Sequence, residues 1–245
     1  VVDRGARTAR LSPLGRETLA RARVIIAEAE QIVSRARSLG QPLTGPLRLG
    51  VIPTIAPYFL PRLLPVLQKK YPALELQLHE DMTARLVASL QSGALDVLLI
   101  ALPYKAPGMT QELLFAEDFM LACPKGMWAA APPVKTDQLK GRDLLLLEDG
   151  HCLRDHALAA CRLQPVAEKK AFSATSLPTL IQMVRHGYGM TILPAMAVES
   201  VRQQDNIDIF PFRAPVPQRE IGLAWRAGNP RVAEFKMLAA AARKA

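Results

Sequence analysis
The sequence is poor in cysteine, short of acid and without long apolar runs. Three cysteines in 245 residues, an odd number, exclude the paired disulfide framework of a small secreted domain. They place the chain in a reducing cytoplasm, where any disulfide is functional. The longest apolar stretches, such as 96–102 (DVLLIAL) and 144–147, fall far short of the roughly 18 residues that a membrane span requires. The opening VVDRGARTAR lacks the apolar stretch and small-residue cleavage site of a secretory signal. It also lacks an initiator Met, so a further segment is expected upstream. No internal repeat or low-complexity tract appears. What is present is an ordinary globular mix, 50% apolar and 22% charged. A chain of this length has room for one large or two modest domains and buries roughly 70–75% of its unfolded surface.

Acids number 22 against 31 Lys and Arg, a formal charge of +9, and the excess is uneven. Residues 1–48 hold nine arginines against four acids. A basic leading segment suits a nucleic-acid neighbour, and it equally suits a solvated helix face. A helix is predicted over 12–39, with Ser12 as N-cap, Pro13 in its first turn and Gly40 at the left-handed position past its end. Leu19, Ala22, Ile26, Ala29, Val33 and Ala36 recur at spacings of 3 and 4, a heptad seam that pairs with a second chain or lies on its own domain. The Pro/Gly-containing 40–46 is a hinge.

From Leu47 onward short apolar runs alternate with helical patterns. Strands are predicted at 47–52, 74–78 and 95–100, with helices at 58–71 and 83–91, a βαβαβ unit that implies a parallel sheet. Possible strands follow at 111–115 and 119–123. A second α/β unit then restarts, with strands at 144–147, 171–173 and 190–193 and helices at 151–161 and 176–185. Strands at 207–210 and 220–225 and a helix from about Arg231 close the chain.

These residues carry a resemblance. DRGARTARLSPLGRETLARAR and LRLGVIPTIAPYFLPRLLPVLQKKYPALELQLHE resemble the wing end, linker helix and effector-domain start of the LysR-type transcriptional regulators. EDGHCLRDHALAAC (148–161) and FSATSLPTLIQMVRHGYGMTILP (172–194) are similar to the peroxide-sensing OxyR branch of that family. The resemblance implies an α/β fold of two Rossmann-like, periplasmic-binding-protein-like subdomains with crossing strands. The expected organisation is the end of a winged helix-turn-helix (1–11), a linker and dimerisation helix (12–39), a hinge (40–46), subdomain I (47–116 and 209–245) and subdomain II (117–208). It further implies a dimer or tetramer, promoter DNA bound through the upstream domain, and a thiol reductant such as glutaredoxin or thioredoxin.

Only a thiolate attacks peroxide oxygen efficiently, so a sensing cysteine needs neighbours that favour its anion. For Cys152, Asp149 and Gly150 mark a helix start, where free N–H groups and the macrodipole favour negative charge. His151 and Arg154 add positive charge or hydrogen bonds. If 152–161 is helical, nine steps of about 1.5 Å separate Cys152 from Cys161 by roughly 13 Å, against the 4.4–6.8 Å of a disulfide. They bond only if the helix unwinds, so a Cys152 sulfenic acid attacked by Cys161 would trap a remodelled segment. The family implies the same roles, Cys152 peroxidatic and Cys161 resolving. Cys123, in FMLAC, reads as core. Four potential ligands, His151, Cys152, His156 and Cys161, lie within eleven residues, but the usual C-x₂₋₄-C pairing of a zinc site is missing. No metal or cofactor is expected.

Thr54 and Thr83 follow strands at the C-terminal edge of a parallel sheet, where such folds hold ligands, and their hydroxyls would orient H₂O₂. As residues alone they also read as helix caps. The same holds for Thr175 and Ser176. His79 and His186 read as structural, and Arg219 is a weak candidate at a position where relatives often carry a base. The expected function is a redox-sensing activator of oxidative-stress genes rather than an enzyme. The alternatives are a regulator sensing a small metabolite between the subdomains, a dithiol peroxidase, disfavoured by the lack of C-x-x-C, and a periplasmic solute receptor.

Overall fold
The computed structural model describes residues 1–4, 9–19, 21–22, 25–26, 29, 42–142, 144–162, 174–202 and 205–245. Strands β1 (Val2–Arg4) and β2 (Ala9–Leu11) pair antiparallel, and residues 13–19 are helical, with Ser12 Oγ accepting the Gly15 N–H at 3.0 Å. Val33, Ala36 and Gly40, the second half of the expected seam and its cap, lie outside the described residues.

The predicted βαβαβ unit is β3 (Gly45–Val51), α1 (Ala56–Lys70), β4 (Leu74–Glu80), α2 (Thr83–Gln91) and β5 (Val97–Leu102). Its strands are parallel in the order β4-β3-β5. All six residues of β5 are buried, as an unbroken apolar run in the middle of a covered sheet should be. Helix α1 turns Ala56, Phe59, Leu63 and Leu67 inward at the 3–4 spacing of an amphipathic helix. A Cβ on Gly50 would come within 2.7 Å of Leu95 and Leu98 side chains, so glycine lets those leucines close over β3.

The predicted strands at 111–115 and 119–123 are one 16-residue strand, β6 (Met109–Pro124). A register shift falls between Leu113 and Phe115, and the polar stretch Ala116–Asp118, which reads in sequence as a gap, is continuous strand paired with β9. The first part of β6 pairs antiparallel with β9 (Gln218–Arg226), which continues onto β5. Its last part pairs with β7 (Thr191–Pro194) and β8 (Ile207–Pro211). These two long strands thus join the halves of the molecule. The leucine run 144–147 forms no strand; it makes only isolated parallel bridges, Leu144 to Met190 and Leu147 to Ala174. Two backbone bonds hold it, Leu145 N–H to the Met190 carbonyl at 2.8 Å and Glu148 N–H to the Ala174 carbonyl at 3.1 Å, and of the four leucines Leu147 is buried. The strand expected at 171–173 lies outside the described residues.

Helices α3 (Cys152–Ala160), α4 (Leu177–Arg185), α5 (Val198–Arg202) and α6 (Val232–Ala242) complete the fold. One apolar core gathers β3, β5, β9, α1, α2 and α6, and a second gathers the end of β6 with β7, α3 and α4. No helix among the described residues is long and apolar enough to cross a membrane.

Candidate functional site
Cys152 is the first residue of α3. Gly150 makes the turn into the helix with φ +96°, and His151 follows in extended conformation as N-cap, with no side-chain cap bond. The first N–H groups of α3 therefore have no helical acceptor, and they lie beside the sulfur. Cys152 opens into a small recess with room for about one water-sized molecule, partly open to solvent and lined by Ile52, Pro53, Thr54, Met82, Thr83, Gly150 and His151. The β3–α1 and β4–α2 junctions supply the two threonines, both buried.

Beneath this recess lies a buried ion pair. Arg219 on β9 and Glu117 on β6 are register partners across the two long strands, and Arg219 Nε donates to Glu117 Oε2 at 2.7 Å. Arg219 Nη1 donates to Thr54 Oγ1 at 3.0 Å and Nη2 to the Thr54 carbonyl at 3.1 Å. The second carboxylate oxygen, Glu117 Oε1, accepts the Met196 N–H at 2.8 Å. A guanidinium has no acceptor, so Thr54 Oγ1 must be accepting and its hydroxyl hydrogen remains for an occupant of the recess. Thr83 Oγ1 is buried with no hydrogen-bond partner, and its hydroxyl favours the Cys152 thiolate.

Burial is the largest influence on Cys152 and pushes its pKa up. The Thr83 hydroxyl and the Arg219 charge oppose it, and Asp155 adds to it. Burial thus works against the anion, while Thr83 and Arg219 favour it. Arg154 forms an ion pair with exposed Asp149 at 3.1 Å, and the positive charge felt by Cys152 is that of Arg219. His151 is buried and lines the recess.

Cys161 caps the far end of α3, its N–H donating to the Ala157 carbonyl at 3.0 Å, and the next N–H, of Arg162, donates to the Ala159 carbonyl at 3.1 Å. It is buried in the second core, whereas Cys152 packs against the first. Burial pushes the Cys161 thiol up to about 12. All three cysteines are free. With 152–160 helical, nine residues of rise put Cys152 and Cys161 about 13 Å apart. Cys123 is fully buried on β6, its pKa raised to about 11 by burial and by Asp208. His156 has its pKa lowered by burial and by Arg219. No group of three His, Cys, Asp or Glu residues among those described is placed to hold a metal.

Glu117 and Met82 were not foreseen. Glu117 had a signal: in Phe115–Phe119 the period of two puts it on the same face as Phe119, an inward acid that demands a base opposite. Met82 had none, since its place over Gly150 depends on how two distant loops meet.

Two α/β halves joined by long antiparallel strands, with a recess at the strand ends, define the effector-responsive domain of a transcriptional regulator. The chain belongs to the LysR family: residues 40–245 match the LysR substrate binding domain. It is 43% identical to the probable hydrogen peroxide-inducible genes activator of Streptomyces viridosporus, over 100% of this chain and 80% of that protein. Identity is 38% to the DNA-binding transcriptional dual regulator OxyR of Escherichia coli K12, over 99% of this chain and 80% of that one. Among solved structures it is similar to an H₂O₂-bound cysteine-to-serine variant of Corynebacterium glutamicum OxyR, with TM-score 0.82 and 35% identity, covering 99% of this chain and 77% of the other.

Proposed function
We propose that this chain is the peroxide-responsive part of a transcriptional regulator of the OxyR type. The carrying observation is the placement of Cys152 at a helix N-terminus against the hydroxyls of Thr54 and Thr83 and the buried Arg219. Relatives named for H₂O₂-inducible gene activation support the reading. Once deprotonated, Cys152 sulfur attacks one peroxide oxygen: an S–O bond forms, the O–O bond breaks, and the second oxygen leaves as water after taking a proton. Cys152 is thereby oxidised to the sulfenic acid and the peroxide reduced. Thr54 and Thr83 donate to the departing oxygen, with His151 and Arg154 at the helix entrance.

Cys161 then attacks the Cys152 sulfur. The S–S bond forms as the S–O bond breaks and water leaves. The pair spans more than a disulfide can bridge, so α3 unwinds and the change spreads to the contacts between copies of the chain. Promoter DNA is bound through an upstream domain, and a cytoplasmic thiol reductant of the glutaredoxin or thioredoxin kind resets the pair. The disulfide serves as a signal and is not turned over as in a peroxidase.

The test is titration of the reduced protein with stoichiometric H₂O₂, rapid alkylation and peptide mass spectrometry, with Cys152→Ser and Cys161→Ser alongside. A linked Cys152–Cys161 peptide pair, lost in both variants, is expected. Cysteines still alkylatable in millimolar peroxide would overturn the proposal and leave a metabolite-binding regulator.

A further inference from the structure
The recess over Cys152 has a graded wall. Thr54, Thr83, His151 and Ile52 are buried, whereas Met82 is half-buried and Gly150 exposed, so these two form the rim. They come from different loops and touch across the opening. A Cβ placed on Gly150 would lie 2.8 Å from Met82 Cε, so the Met82 methyl already fills the space beside the Gly150 backbone. Gly150 also has φ +96°, a conformation that side chains disfavour.

The Met82 side chain is steadied from behind. The Met82 backbone N–H donates to Asp81 Oδ1 at 2.8 Å, and the same carboxylate oxygen pairs with Arg85 Nη1 at 3.2 Å. Arg85 Nη2 in turn lies 3.9 Å from Met82 Sδ. An unbranched thioether so placed is a flexible apolar plug on an otherwise polar recess.

We propose that Met82 is the specificity-determining residue of this site, admitting H₂O₂ and excluding bulkier organic hydroperoxides. The proposal rests on the reading of Cys152 as the peroxide-reactive sulfur. For any hydroperoxide ROOH the thiolate attacks the terminal oxygen. The S–O bond forms, the O–O bond breaks, RO⁻ leaves and takes a proton as ROH, and Cys152 is oxidised while the peroxide is reduced. With H₂O₂ the leaving group is no larger than water and fits among the threonine hydroxyls. With an alkyl or aryl R, that group must project from the departing oxygen toward the rim, where Met82 stands against Gly150. The discrimination is steric, so a side chain of similar size without sulfur keeps it.

The test compares second-order rates of Cys152 oxidation by H₂O₂ and by cumene hydroperoxide in the reduced full chain, Met82→Ala and Met82→Leu, read by sulfenic-acid trapping and mass spectrometry. In Met82→Ala the ratio of the cumene hydroperoxide rate to the H₂O₂ rate is expected to rise roughly tenfold or more, the scale of a few missing methylenes in a fitted pocket. Met82→Leu is expected to keep the ratio of the unaltered chain. An unchanged ratio in Met82→Ala, while the unaltered chain still reacts with H₂O₂ at Cys152, overturns the gate alone. Loss of selectivity in Met82→Leu as well overturns its steric basis. No oxidation of Cys152 in the unaltered chain overturns the sensor reading and the gate with it.

Discussion

The Glu117–Arg219 pair offers the sharpest test of how the site is held. Its side chains are 4% and 0% exposed, so solvent screens the pair very little. Replacing Arg219 by Met leaves the Glu117 carboxylate buried without its cation and removes both bonds to Thr54. Breaking such a pair from one side costs about 3–5 kcal/mol. Glu117→Met strands the Arg219 charge and costs about the same. In the double variant neither charge remains, and the principal loss is the acceptor for the Met196 N–H, about 1–3 kcal/mol. The double variant should therefore be more stable than either single, far from the additive 6–10 kcal/mol or so that two independent sites would give. Urea unfolding of the three reduced variants measures this. Single variants within about 1 kcal/mol of the unaltered chain, or a double at the additive sum, would refute the reasoning.

Four further outcomes follow from the same structure. Arg219 lowers the Cys152 pKa, so Arg219→Met should raise it further and slow Cys152 alkylation at neutral pH, with the rate recovering only at higher pH. In the unaltered chain that alkylation rate should still be climbing above pH 9.0, the ordinary thiol value, because burial raises the folded-state pKa. Cys161 is protonated in the fold up to about 12 against 9.0 unfolded, so the stability it contributes is complete below pH 9.0 and lost as pH rises from there to about 12. Cys161→Ala should flatten part of that alkaline loss in denaturation curves, and an unchanged slope would count against burial as the cause. Gly150→Ala should lower stability by about 1–2 kcal/mol through its positive φ, a loss that thermal unfolding would detect.

The repeating elements were legible where periodicity alone decides them. The α2 boundaries, 83–91, were readable from the apolar 3–4 spacing, although the N-cap is Met82 and Thr83, the expected cap, caps nothing; the caps at Ser12 and Ser176 were readable because a hydroxyl before such a pattern has one common use. The single strand β6 was not legible, because its middle, Ala116–Glu117–Asp118, carries two acids that read as a break, whereas Glu117 turns inward to Arg219 and the ladder to β9 runs on through it. Nor did the four leucines at 144–147 become a strand, since they meet two different neighbours, Met190 and Ala174, at one bridge each. At the site, Cys152 and the threonines were visible from their places at helix and strand ends. The charge acting on Cys152 was sought in its sequence neighbours His151 and Arg154, but the structure delivers it from β9. Antiparallel pairing of two distant strands brings Arg219 there, and no local pattern encodes that.

If Cys152 is oxidised as proposed, the same fold sets the order of the events that follow. A thiol with pKa about 12 is only about one part in 10⁵ thiolate at pH 7, and Cys161 is walled into the second core by Leu153, Ala157 and their neighbours. While α3 stands, Cys161 is neither near enough nor ionised enough to attack the sulfenic sulfur. Local opening of the helix changes both at once, carrying Cys161 into water, where its pKa returns toward 9.0, and removing the 13 Å separation. Disulfide closure should therefore be limited by opening and independent of peroxide concentration. Leu153→Ala removes a buried side chain that anchors the intact helix, at about 2–5 kcal/mol, and leaves both cysteines in the chain. If opening is rate-limiting, this variant closes the disulfide at least about tenfold faster at the same rate of Cys152 oxidation, as seen by quenched-flow alkylation. A closure rate that ignores Leu153 and instead tracks peroxide concentration would mean that the helix is already open in the reduced protein.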